Sequence, residues 1–271
     1  MSKEKVVLEE EKETLLVTLY CKALESKKPK PVIFDDKAVE LVDRIEYDYS
    51  RLRIPSKTQV TLCLRAKQMD NYVLGFLAEN PEGIVVNLGC GLDSRSDRLD
   101  NGTAYWYDLD FPEVIQLRRR FYTETERKKM IPSPVTAPEW LEAVARRRGR
   151  FLFVAEGLLM YLREGDVRDL FLRLRQRLPG SRLLADVFSK LTVRNLGRHP
   201  SISRTGAEVY WGVDDFREIL QWCPGIGLIE EWHFARSEEL AKLSFGYRLA
   251  MRLAGAFSVV NKAHRILFLQ L

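Results

Sequence analysis

Apolar positions fall at helical spacing through the first eighty residues. Beyond that point they form short continuous runs. Leu15, Leu16, Leu19 and Ala23 share one face of a helix predicted over residues 9–24. A Lys/Pro linker at 26–31 separates it from a second helix, capped by Asp35-Asp36 and running to about residue 45. Residues 58–77 read as a third helix. No strand pattern occurs before residue 84, so residues 1–80 read as a helical cap.

From Ile84 the pattern changes. Residues 84–88 form a β-branched apolar run, and a short helical turn follows around 94–99. Strands are predicted at 104–109, 151–155, 182–187, 227–234 and 264–269. Helices are predicted at 112–122, with a proline in the first turn, and at 140–147, 165–178 and 216–222. The run at 151–155 is apolar throughout, as in a strand covered on both faces. Strands alternating with helices imply an α/β, doubly wound, mostly parallel sheet, formed by residues 81–271 as one globular unit carrying the cap.

The segment Ile84-Val85-Val86-Asn87-Leu88-Gly89-Cys90-Gly91-Leu92-Asp93-Ser94-Arg95 carries the most chemistry. A strand ending in Gly89 and Gly91 lets the backbone approach a ligand at the carboxyl edge of the sheet. A dinucleotide fingerprint needs a third glycine where Ser94 stands. Asp93 would also oppose a phosphate at the helix start. No Gly-Lys-Ser/Thr follows, so this is no P-loop. An adenosine cofactor without phosphate, such as S-adenosylmethionine, suits the loop better than a dinucleotide. Asp108 and Asp110, about twenty residues on, stand where a ribose is held. They share a strand face, so spacing does not choose between them. Glu156 ends the apolar run at 151–155, where a carboxylate is costly without a partner or ligand. Tyr161 stands five residues on, placed to bring its hydroxyl over the same pocket.

Composition narrows the class. With 271 residues and 46% hydrophobic content the chain can bury a sizeable core. No apolar run reaches the roughly 18 residues of a membrane span. Residues 1–12 have no signal-peptide core, and a cytoplasmic location is expected. Cys21, Cys63, Cys90 and Cys223 are too scattered for a zinc site or a disulfide framework, so no metal is expected, and Cys90 reads as a small filler. The charge is +5 and the pI near 9.0. The clusters Arg118-Arg119-Arg120 and Arg146-Arg147-Arg148 read as solvated basic faces at helix ends, without the aromatic partners of a nucleic-acid surface.

Four segments in order resemble the leucine carboxyl methyltransferase family, and within it the bacterial polyketide O-methyltransferase-like branch. They are residues 13–26, the loop 87–95 with Arg98-Leu99 behind it, Asp108-Leu109-Asp110-Phe111-Pro112-Glu113-Val114, and Ala155-Glu156-Gly157-Leu158-Leu159-Met160-Tyr161-Leu162. The resemblance runs from about residue 13 to the C-terminus. It implies a class I, Rossmann-like methyltransferase fold with a seven-stranded sheet, and S-adenosyl-L-methionine as cofactor. It makes Arg65 the arginine for the methionine carboxylate, Gly89 and Gly91 the cofactor loop, Asp110 the ribose acid and Glu156 the acid near the methionine part. Lys22 matches a basic cap-helix residue at the site. Ala137 stands where the family has an acid before the residue matching Trp140, so the adenine contacts fall to Ser133 or to backbone.

The expected reaction is methyl transfer to an oxygen of a small molecule or peptide. None of His199, His233 and His264 lies in a matched segment, and this absence of a base favours a carboxylate, which is already ionised. Tyr161, Lys22 and arginines of the 194–206 segment are the candidate donors to it, with 194–206 read as a substrate lid. No nucleic-acid or membrane partner is expected. The competing readings are a dinucleotide-dependent oxidoreductase and a basic RNA-binding or RNA-modifying protein.

Overall fold

The computed structural model describes residues 4–5, 14–196 and 207–271, the first two by backbone alone. Seven strands form the main sheet: β1 (Ile84–Leu88), β2 (Tyr105–Asp110), β3 (Lys128–Pro132), β4 (Phe151–Ala155), β5 (Arg182–Phe188), β6 (Gly227–His233) and β7 (His264–Gln270). Their order is β3-β2-β1-β4-β5-β7-β6, and every pair is parallel except those made by β7. A two-residue pairing of Glu4–Lys5 with Ile45–Glu46 stands apart and was not foreseen.

The alternation of side chains along β1 sets the layers. Val85 joins one buried cluster, while Ile84, Val86 and Leu88 join the other. Both faces are therefore covered, as the apolar runs of β1 and β4 require. Three helices fill the Val85 side: α1 (Thr14–Ser26), α2 (Asp36–Arg44) and α3 (Ser56–Glu79). Leu19, Leu41, Leu64, Met69 and Phe76 from these helices share a single cluster with Val85, Trp106 and Leu152 of the sheet. Asp35 caps α2 by accepting from the Ala38 amide at 2.9 Å, and the same carboxylate accepts from Ser94 Oγ at 2.7 Å. The helical region is thus tied directly to the chain beyond the glycine loop.

Three departures from the sequence reading have physical reasons. Strand β3 was not predicted, because Lys128 and Lys129 break its apolar pattern; it is a half-exposed edge strand, where lysine discourages further pairing. A helix at Phe245–Gly255 was also missed; it fully buries none of its residues, and only Tyr247 and Met251 pack, half-buried, against the core. The segment 194–206 begins as the end of a helix, Lys190–Leu196, and its remainder, 197–206, lies outside the described residues. No described helix is long and apolar enough to cross a membrane.

Arg118 is the main correction to the charge reading. It is not solvated: it is fully buried at the end of α4 (Pro112–Arg118, counting only helices of two turns or more). Its Nη2 donates to Asp108 at 2.7 Å, and its Nη1 donates to the carbonyls of Gly91 and Asp93 at 3.1 and 2.7 Å. Tyr122 lies against its guanidinium, 4.0 Å from the ring centroid, and donates its hydroxyl to Leu92 O. The planar fork thereby holds the whole back of the glycine loop. Arg118→Ala should lower stability by about 3–5 kcal/mol in urea unfolding, since it leaves Asp108 buried without its cation. Arg119→Ala, a change in the same cluster at a half-exposed side chain, should cost less than about 0.5 kcal/mol. Equal effects would return Arg118 to the solvated face.

Candidate active site

The chain turns out of β1 through Gly89 and Gly91, both at positive φ (63° and 50°). A Cβ on Gly89 would lie 2.9 Å from Leu158 Cδ1, and one on Gly91 would lie 3.2 Å from Leu15 Cβ. Only glycine gives this path both its backbone angle and its closeness to neighbours. Beside the turn opens a cavity of about 850 Å³, within the span of about 300–1,000 Å³ usual for small-molecule sites. It lies at the carboxyl edge of the parallel strands, which contribute Gly89 after β1, Asp110 from β2, Glu156 after β4 and Phe188 from β5. Strand β7 runs the other way, so its first residue, His264, reaches the same edge.

Of the residues expected at the site, Lys22, Arg65, Gly89, Gly91, Asp110, Glu156 and Tyr161 all line this cavity. Ser133 does not. Its hydroxyl is turned to the Pro134 carbonyl at 3.3 Å, and Pro134, Val135 and Thr136 form the wall instead. The structure also separates the two aspartates that spacing left equal. Asp108 is buried against Arg118, whereas Asp110 faces the cavity and accepts from the Gly91 and Phe111 amides at 2.7 Å each.

A buried ionic network underlies the cavity floor. Arg95, fully buried, donates to Asp70 at 2.9 Å, to Asp93 at 2.8 Å and to Glu156. Arg98 pairs with Asp35 and Asp70, both at 2.8 Å. Lys22 holds Asp93 at 2.6 Å and Asp35 at 3.4 Å. Arg65 donates from Nε to Glu156 at 3.1 Å and from Nη1 to Asp186 at 2.9 Å. Asp186 also accepts from the Gly157 amide at 2.6 Å and from His264 Nε2 at 2.8 Å.

Arg95, Asp186 and His264 were absent from the residues expected at the site, and Asp93 was read only as an obstacle to phosphate. Asp186 carried a readable signal, an acid near the end of an apolar strand like Glu156. Arg95 carried none beyond its place after the loop.

Burial pushes Asp35, Asp93, Asp108, Asp110, Glu156 and Asp186 upward, and the neighbouring cations and donors decide the outcome. Against burial, Arg95, Lys22 and Arg98 hold Asp93 well below the usual carboxylate range. Arg95 and Arg65 lower Glu156, Arg65 and His264 lower Asp186, and Lys22 and Arg98 lower Asp35. Asp108 and Asp110 are raised, since burial prevails over their partners. Burial likewise pushes Cys90 well above the usual thiol value, in keeping with its role as filler. Among the described residues no cluster of side chains could hold a metal ion.

The glycine turn, the acids at the ends of β2 and β4, and Arg65 all occur in the expected order around one cavity. A family model described as leucine carboxyl methyltransferase matches residues 15–175. The chain belongs to the leucine carboxyl methyltransferase family. It is 40% identical over 230 residues to the tetracenomycin polyketide synthesis O-methyltransferase TcmP of Streptomyces glaucescens, covering 84% of this chain and 85% of that one. It is 28% identical over 248 residues to the S-adenosyl-L-methionine-dependent methyltransferase dpfgK of Gibberella zeae, covering 83% of each. The crystal structure of a DUF574 family protein from Streptomyces avermitilis superposes with a TM-score of 0.59 at 12% identity, over 94% of this chain and 96% of that one, and so shares the fold.

As a member of this family the chain is a methyltransferase with S-adenosyl-L-methionine as methyl donor, which decides against a dinucleotide. The cavity fits that donor on two grounds. The glycine cradle would be filled by any Cβ. The linked network sets four cations, Lys22, Arg65, Arg95 and Arg98, against five carboxylates, Asp35, Asp70, Asp93, Glu156 and Asp186, among the described residues. A donor with a net positive charge completes that balance.

The depressed carboxylates give a pH signature. Asp35, Asp93, Glu156 and Asp186 bind protons less readily folded than unfolded, where values near 4 apply. Their contribution to stability is full above that value and is lost as pH falls through the lower folded values. Asp108 and Asp110 act in the opposite sense, with only two groups. The urea midpoint should therefore fall between pH 5 and pH 3. A midpoint that holds or rises over that interval would contradict the network.

Proposed function

We propose that this chain is an O-methyltransferase for a small molecule or peptide, of the same broad kind as the polyketide-pathway relative, with the reaction in the cavity beside the glycine turn. The observation that carries this reading is the gathering of Arg65, Gly89, Asp110, Glu156 and Tyr161 around one opening. When bound, S-adenosylmethionine supplies an electrophilic methyl group on a sulfonium sulfur.

The chain's own groups have distinct tasks in this reading. Two backbone amides aim the Asp110 carboxylate, which keeps lone pairs for a pair of ribose hydroxyls. Arg65 uses Nε and Nη1 on protein carboxylates, and its Nη2 makes no hydrogen bond among the described residues, leaving it for the methionine carboxylate. Glu156 is fixed by Arg95 and Arg65 together and places negative charge beside the cationic end of the donor. The Lys22 ammonium is committed to Asp93 and Asp35, so Lys22 acts as a positioning residue for the loop. Tyr161 is the donor to the acceptor oxygen. Preorganised charges in a dry site contribute because they need no reorganisation as the reaction proceeds.

The described part of the cap, from Thr14 to residue 80, shapes acceptor entry, contributing Leu15, Thr18, Leu62 and Arg65 to the wall. With Phe111, Met160 and Phe188 the wall is largely apolar, which suits a flat hydrophobic acceptor. A carboxylate acceptor is the second reading, supported by the family description. No histidine lies in a matched segment, but His264 stands in the wall, so the lack of a histidine within those segments does not favour a carboxylate.

Incubation with methyl-labelled S-adenosylmethionine and a panel of phenols, carboxylic acids and peptides should label an oxygen; label on nitrogen or carbon alone would overturn the proposal. An ester releases methanol in mild base and an ether does not. Asp110→Ala should weaken binding of the demethylated donor, S-adenosylhomocysteine, by about 1–3 kcal/mol in calorimetry. Unchanged affinity would remove Asp110 from the site.

A further inference from the structure

Six large apolar side chains near the end of the chain face solvent: Phe245, Leu249, Leu253, Phe257, Val259 and Val260, each between 47% and 69% exposed. Single leucines on a surface are ordinary, but a set gathered in one short segment marks a contact. We propose that this face, on the helix Phe245–Gly255 and the turn Ser258–Asn261, docks the protein on an anionic lipid surface. The proposal goes beyond the methyl-transfer reading and needs neither donor nor acceptor to hold.

The helix is fixed with this face outward. Ser244 caps it, its hydroxyl accepting from the Tyr247 amide at 3.4 Å. Gly255 ends it against Ala235, where any Cβ would collide. Tyr247 and Met251, four residues apart, pack on the core. Phe245, Leu249 and Leu253, also four apart, form a second row. At 3.6 residues per turn that row lies on the side of the helix opposite Tyr247 and Met251. A helix apolar on both sides is at rest only when both are covered. The inner side is covered by the chain itself, and the outer side is left to solvent among the described residues.

Charge decides what kind of partner fits. From Leu240 to Leu271 the sequence has no aspartate or glutamate. Arg248 and Arg252 each stand one residue before a leucine of the outer row and so run along its edge, and Lys262 follows the turn. None of these three makes an ion pair among the described residues, whereas Lys242 and Arg265 are engaged by Glu239 and Glu231. Arg248 lies over the Phe245 ring, 5.6 Å from its centroid. An apolar row edged by unpaired cations is the pattern of a helix lying in a membrane interface. Its apolar face enters the acyl boundary and its cations meet anionic headgroups. A second copy fits poorly, because a two-fold contact would set the same cations against one another with no acid between them. A protein partner needs directional polar groups, about one hydrogen bond per 100–200 Å², and the face offers little besides Ser258 and those cations.

No described helix can cross a membrane, so the contact is with a surface. The expectation of no membrane partner rested on the lack of a span, and a helix lying flat needs no such length. The inner side of the helix meets the cavity wall: Tyr247 lies beside Thr61, and His264, a further wall residue, follows the turn. Docking therefore brings that side of the cavity toward the lipid, where an apolar acceptor concentrates.

The full chain should float with vesicles of phosphatidylcholine mixed with phosphatidylglycerol and stay in solution with phosphatidylcholine alone. Added salt should weaken the binding. Arg248→Gln combined with Arg252→Gln should lower partitioning about 30-fold, since each charge near the surface is worth about fivefold. Leu249→Glu combined with Leu253→Glu should lower it by at least about a hundredfold. Leu74→Glu, at a similarly exposed leucine of α3, should bind as the parent does. None of these side chains is buried, so the urea midpoints of all three variants should stay with the parent's. Failure of the parent to bind the anionic vesicles, equal binding to the neutral ones, or binding that survives the two glutamates would each overturn the proposal. So would a parent dimer in analytical ultracentrifugation that the two glutamates dissociate, since the face would then belong to a second copy.

Discussion

The Arg95 guanidinium is the constraint on which the rest of this structure depends. It is fully buried, and its three nitrogens reach carboxylates from three separate parts of the chain: Asp70 in α3, Asp93 in the loop after β1, and Glu156 after β4. Such a group is costly to bury, and its partners repay the cost only when every one is in place. The arginine therefore links the position of the helical region, the course of the loop and the end of the central strand. Arg98, Lys22 and Arg65 extend the same logic outward to Asp35 and Asp186.

That arrangement also suits the cationic methyl donor proposed for this cavity. Within the linked set the carboxylates outnumber the cations by one, and the surplus lies beneath the cavity rather than at the surface. The glycine turn contributes shape and backbone donors. Arg118 holds that turn from behind through two carbonyls and is itself neutralised by Asp108, so it adds no net charge to the cavity. Loop shape and local charge are thus set by different arginines.

His264 shows how a site can be completed by a strand running the wrong way. In a wholly parallel sheet the first residue of the last strand would lie at the opposite edge. The reversal of β7 brings it instead against Asp186 and into the wall already formed by β1, β2 and β4. The matched family segment supplies the cavity acids Asp110 and Glu156, while the imidazole and its carboxylate come from the part of the chain beyond it.

Much of this was legible in the linear chain. The continuous apolar runs of β1 and β4, the glycine pair and the acid at 156 follow from local rules, because strand burial and positive φ leave a mark on the residues concerned; local spacing left Asp108 and Asp110 equal, and the family resemblance chose Asp110. The sequence by itself therefore determined the α/β class and the kind of cofactor, and it pointed to a site at the carboxyl edge, where the structure has a cavity. It did not show that β3, rich in lysine, is a strand, since an edge strand has no second face to bury. Nor did it show that Arg118 is buried while Arg119 beside it is solvated, that Ser133 turns away from the cavity, or that His264 faces into it. Those facts depend on which distant groups meet. A charged or polar side chain takes its role from its partner, and only the tertiary structure supplies the partner.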